Sequence, residues 1–181
     1  MSTISASRRV QALREAKGRM NAVREEIYTA VAGKSDEELL APPADGGWSA
    51  AEILDHLRKA ERGLVRGLAA QRRGEPLKIP RRAYWYRLPM TVAFTPIRFT
   101  APKPVRPRPR AEVKPSEVVG KLRESRAALL AFVDEVGEER FLDILLPHFV
   151  LGRFHGLDWF RFLAGHEGRH LGQMRRVLGR R

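Results

Sequence analysis

His166, Glu167 and His170 stand in the order H-E-x-x-H inside GHEGRHLGQMRR, residues 165 to 176. Two histidines four apart on a helix lie on one face and can hold one metal, and a glutamate beside them can work as a general base, the arrangement of zinc proteases. Proteases that share this motif draw their third protein ligand from downstream. Here only Leu171 to Arg181 follow, without a His, Asp, Glu or Cys. Whatever completes the site must come from upstream, where His56 is the only histidine before residue 148. Glu167 then has no catalytic duty, and the protease-like spelling is read as incidental.

Four amphipathic segments are available to position these side chains. Val10, Leu13, Ala16, Met20, Val23 and Ile27 recur at three-and-four spacing and predict a helix over 6–31, stopped by Gly33. A second opens at the capping box Ser49-Ala-Ala-Glu52, runs through Ile53, Leu57, Ala60, Leu64 and Leu68, and ends before Gly74 and Pro76. A third opens at Pro115-Ser116, turns Val118, Leu122, Ala128, Leu129, Phe132 and Val136 inward, and closes at Gly137. The fourth starts near Gly156 and carries Trp159, Phe162, Leu163, His166, His170, Met174 and Val177. Short helical turns fit residues 35–40 and 138–145. Strict period-two alternation persists nowhere, so no strand is expected, although MTVAFTPIRF has strand-forming residues broken by Pro96.

The expected architecture is all-α: a four-helix bundle with a long crossover between the second and third helices. At about 100° per residue, His166 and His170 flank Val177 in the middle of the fourth helix's apolar stripe. His56 falls at the border of the apolar face of the second helix, where it can look into the bundle from the opposite side.

Composition narrows the function classes. At 181 residues the chain is read as one domain, 1–181, with an insertion at 74–114. The absence of cysteine excludes disulfides, thiolate metal sites and cysteine nucleophiles, and fits a cytoplasmic location. No apolar run resembles a secretory signal or approaches the roughly 20 residues of a membrane span. The net charge of +13 is unevenly spread: residues 72–114 hold twelve of the 34 basic residues against two of the 21 acids, and eight of the twelve prolines. Within them Arg81, Arg82 and Arg87 interleave with Tyr84, Trp85 and Tyr86, the ingredients of a stacking and phosphate-binding surface. The first expectation for this insertion is a pocket wall or a homodimer contact, the second a nucleic-acid surface, the third an anionic membrane surface.

The chain resembles the DinB/YfiT-like superfamily. The residues that carry the resemblance are GWSAAEILDHL at 47–57 and HFVLGRFHGLDWFRFLAGHEGRHLGQMRRV at 148–177, with His148, Gly152, Asp158-Trp159, Phe162, His166, Arg169-His170 and Gln173 at the family's marked positions. Phe149 stands where the family often has proline, and His155 where a Ser or Thr usually caps the last helix. The resemblance implies a four-helix bundle whose divalent metal, zinc or nickel, is held by His56, His166 and His170. Three neutral imidazoles leave the charge of such an ion intact and a coordination position open, so the reacting group is expected to be a bound water or thiol. The resemblance further implies use of a low-molecular-weight thiol, and a chain without cysteine must take its thiol from outside.

The remaining polar residues of the two stretches have plainer readings beside the functional ones. Gln173, one turn beyond His170, either orients a ligand or stands as an exposed amide at the bundle end. Arg169, with Arg81 and Arg82 of the insertion, could grip the carboxylates of a small-molecule substrate or thiol. His148 and His155 are read as a loop residue and a helix cap. Two function classes follow: a metal-dependent enzyme of thiol transfer or hydrolysis, and a non-catalytic binding protein that uses the basic insertion.

Overall fold

The structure is a computed structural model that describes residues 3–44, 46–75, 101–148 and 151–179. It is a mostly helical four-helix bundle. α1 (Thr3–Val31) is followed by a short α2 (Asp36–Leu40) and by α3 (Ala50–Arg72); α4 (Pro115–Val136), a short α5 (Glu138–Asp143) and α6 (Gly156–Leu178) complete the helices. α1 packs chiefly on α6, and α3 on α4.

Each start has a local cause. Both α2 and α3 open with a reciprocal cap: the Ser35 and Ser49 hydroxyls accept the Glu38 and Glu52 amides, while those glutamates take the serine N–H groups at 2.9 Å. α4 begins with proline at its first position and ends at Gly137, whose φ of 82° suits only glycine comfortably. At the start of α6, a Cβ on Gly156 would lie 2.3 Å from the Phe141 carbonyl oxygen, so α5 and α6 can approach this closely only through glycine.

Two features depart from the sequence expectation. Residues 145–155 form a hairpin, β1 (Leu145–His148) against β2 (Gly152–His155), antiparallel with Leu146 opposite Phe154 and His148 opposite Gly152. Strands of four residues are too short to display a period, and β1 contains Pro147, a residue that strands seldom carry. On α4, Ala128 faces solvent rather than the core, and Arg126 is buried in the inward position instead.

That arginine belongs to a layer of charge across the middle of the bundle. One apolar cluster contains Leu13, Met20, Leu64, Leu129, Phe160 and Leu163; the other contains Ile27, Leu54, Leu57, Leu122, Leu171 and Met174. Along each long helix, one charged residue falls between the two: Arg24, Glu61, Arg126 and Glu167, all at most 7% exposed. Arg126 bonds Glu61 and Glu167, each at 2.7 Å, and Arg24 bonds Glu61 at 3.3 Å and Glu167 at 3.1 Å. Backbone carbonyls of Met20 and Leu122 and the hydroxyl of Ser125 take up further valences. Two cations and two anions cancel, so a layer that would be prohibitively costly unpaired is internally compensated.

Of the insertion, residues 74–75 and 101–114 are described, the latter with two short 3-10 turns at Lys103–Val105 and Arg110–Glu112. Residues 101–114 form a strap along α3. Among the described residues no helix is long and apolar enough to cross a membrane.

Candidate metal centre

His56 comes from the second turn of α3, and His166 and His170 from successive turns of α6. The structure brings these three together: one ring nitrogen from each lies within 4.8 Å of the others, with His56 and His170 buried and His166 partly exposed. Ring centroids are 4.7–5.1 Å apart, and Trp48 and Phe162 wall the cluster, their rings 5.1 Å from His56 and His166 respectively.

The outer nitrogens of two of the rings are spoken for. His56 Nδ1 lies 2.6 Å from the Val105 carbonyl, which can only accept, so the ring carries its proton there and turns a bare Nε2 inward. His170 Nδ1 likewise faces the Gln173 side-chain oxygen at 3.0 Å. This is the arrangement by which metal-ligating histidines are oriented. His166 Nε2 lies 3.1 Å from the bare His56 Nε2, so without a metal His166 carries its proton on Nε2 and gives it to His56, while its Nδ1 is buried without a partner among the described residues.

Electrostatics favours neutral rings. Burial holds His56 below the usual imidazole range against the opposing pull of the Val105 carbonyl and Asp55. Burial, and then the neighbouring His170 and His56, hold His166 well below it; burial and His56 push His170 down to about 3. Neutral imidazole is the form that binds a metal, so the donors are ready at neutral pH. A fit with a divalent zinc or nickel ion therefore rests on the donor set itself: three uncharged nitrogens of borderline softness from facing helices.

The other residues singled out from the sequence fall in different places. Arg169 lies near enough for its charge to depress His166 and His170. Arg81 and Arg82 lie outside the described residues. His155 is the N-cap of α6, its amide held by Asp158 at 3.2 Å. His148 is not in a loop but at the end of β1, its ring 4.5 Å from Phe162.

Glu167, read from the sequence as incidental, has a place in the fold. Three N–H groups of Arg24 and Arg126 converge on its carboxylate, in the core away from the imidazoles. Burial pushes this carboxyl up and the two guanidiniums pull it down; with charged donors on both oxygens the ionised form is the one the geometry accommodates. The sequence did hold a signal for the charge layer, because each member stands three or four residues from stripe positions on both sides. The contribution of Val105 had none, since any residue supplies a carbonyl.

Comparison with known proteins identifies a family and a shared fold. The family model of the DinB superfamily matches residues 19–174. The uncharacterized protein YuaE of Bacillus subtilis (strain 168) is 30% identical over 164 residues, covering 87% of this chain and 93% of its own. Two solved structures share the fold. TT2238, described as a four-helix bundle protein, superposes with a TM-score of 0.57 at 22% identity over 91% of this chain and 98% of its own. YfiT from Bacillus subtilis, described as a probable metal-dependent hydrolase with an unusual four-helix bundle topology, gives 0.59 at 16% identity over 99% and 89%.

Proposed function

This chain belongs to the DinB superfamily, and on that premise we propose that it is a metal-dependent enzyme acting on a small molecule, with His56, His166 and His170 holding the ion. The observation that carries the proposal is the convergence of three uncharged imidazoles from two helices. A divalent zinc or nickel ion bound there would supply acidification of a water or thiol at its open position.

The protein's own groups favour a thiol as nucleophile. Glu167, the acid placed as a base in the protease reading, is committed to Arg24 and Arg126 and cannot accept a proton from the site. A thiol with a pKa of about 8.5 needs far less help to ionise than water does. The chain has no sulfur nucleophile of its own, so the thiol is a low-molecular-weight co-substrate. Trp48 and Phe162 shield the flanks of the rings, and Arg169 adds positive charge that favours an anionic reactant. Hydrolysis is the second reading, favoured by the description of YfiT.

A role limited to binding nucleic acid through the insertion has less support. In the strap, Arg108 and Arg110 turn to Asp55 and Glu52 at 3.4 and 3.0 Å, so these cations are matched within the chain. The test is to mix metal-loaded, tag-free protein with a panel of low-molecular-weight thiols and monochlorobimane, with a parallel panel of ester and amide substrates. Conjugation that His170→Ala abolishes is the expected result. Equal conjugation by parent and variant, with ester or amide cleavage lost in the variant, would replace thiol transfer by hydrolysis.

A further inference from the structure

Glu52, Asp55, His56 and Lys59 occupy one face of α3 at three-and-four spacing, and each meets the strap. Glu52 takes the Arg110 side chain at 3.0 Å, Asp55 takes the Arg108 backbone N–H at 2.8 Å, His56 gives its Nδ1 proton to the Val105 carbonyl at 2.6 Å, and Lys59 donates to the Arg106 carbonyl at 2.6 Å. The helix and the strap run in opposite directions: the N-terminal pair on the helix, Glu52 and Asp55, meets Arg110 and Arg108, and the C-terminal pair, His56 and Lys59, meets Val105 and Arg106. Only one of them touches a candidate ligand. The Val105 carbonyl decides which nitrogen of His56 faces the cluster, and this carbonyl lies in a segment with little regular structure to hold it in place.

We propose that Asp55 is a positioning residue for the metal centre: by holding the Arg108 amide it keeps the Val105 carbonyl on His56, and so presents Nε2 of that ring to the ion. The inference rests on the metal-binding reading above. Asp55 is suited to the task because it is fully buried and its second oxygen is fixed by Arg58 of the same helix, at 2.8 and 3.1 Å. The carboxylate therefore cannot swing away, and its other oxygen, which also has Lys59 Nζ at 3.4 Å, anchors the strap at Arg108, three residues beyond Val105 and two beyond Arg106. A charged acceptor for a backbone amide is also a stronger tie than a neutral one.

The tie can be cut without touching the buried carboxylate. Arg108→Pro removes the amide proton and is compatible with a run that already has proline at 104, 107 and 109. Arg108→Ala removes the same side chain but keeps the amide, so it controls for the lost charge. Zinc affinity of tag-free protein is read by competition with a chromophoric chelator, and the His56 tautomer by nitrogen-15 spectra of metal-free protein. Arg108→Pro should weaken zinc binding about 10- to 100-fold and give mixed tautomers at His56, while Arg108→Ala stays within about threefold of the parent. Zinc binding by Arg108→Pro equal to the parent, with His56 still protonated only at Nδ1, would overturn the proposal. A parent that takes no zinc would instead overturn the metal reading, and the spectra would then decide whether the strap controls His56.

Discussion

The Nε2 atoms of His56 and His166 stand 3.1 Å apart, one ring on α3 and the other on α6. Two ring nitrogens at this separation cannot both present lone pairs to the gap; a proton on one, or a cation shared by both, has to lie between them. Tag-free protein should accordingly carry close to one divalent metal per chain, and His56→Ala, His166→Ala and His170→Ala should each lose it. Elemental analysis after incubation with zinc and with nickel checks this. No metal in the parent would end the metal reading.

Gln173 holds the third ring from outside the cluster. Gln173→Leu leaves the His170 Nδ1 proton without its acceptor, and zinc affinity should fall about 10- to 100-fold. Gln173→Glu, which keeps an acceptor oxygen, should retain most of it. Chelator competition measures both, and an unaltered affinity in the leucine variant would show that Gln173 does not orient the ring.

Glu167 separates a protease from a bundle that only shares its spelling. Glu167→Gln removes one anion from the buried layer and should cost about 3–5 kcal/mol in chemical denaturation, as expected when one partner of a buried pair is lost. Metal content should remain at the parent's level. If the variant instead folded as stably as the parent and lost a proteolytic activity, the glutamate would be a base after all.

Acid should loosen the metal-free protein through His148. Burial lowers its pKa to about 4, below the ordinary 6.5. Between those values the unfolded chain binds a proton at this position and the folded chain does not. Its stabilising contribution is thus complete above about pH 6.5 and falls, by up to about 1.4 kcal/mol per pH unit, as the pH drops toward 4. His148→Asn can still accept the Leu151 amide that His148 Nδ1 accepts at 3.1 Å, but it cannot titrate. Denaturation curves across this range should show a shallower pH slope for the variant, and identical slopes would exclude His148 as the source.

The bundle and its three histidines were legible because periodicity and capping act locally. Ser49 with Glu52 marks the start of α3, and a stripe that includes His166 and His170 must face inward whatever it packs against. The hairpin was not legible, since Leu145–His148 and Gly152–His155 gain their pairing only from one another. Arg24, Glu61, Arg126 and Glu167 were visible as charges on apolar stripes, yet each alone reads as an interruption. Only the assembled fold shows that they satisfy one another.

That layer also restricts how the helices can be assembled. Four greasy faces would tolerate sliding by a turn, about 5.4 Å along the axis, or an exchange of neighbours, with little loss of buried area. Charges of both signs at one level remove that tolerance, because each misplaced helix would strand an ion against leucine. Glu167 lies between His166 and His170 in sequence, and Glu61 lies five residues after His56. A helix held at its glutamate is therefore held at its imidazoles too, and the salt bridges work as a vernier that sets the height at which the three rings meet.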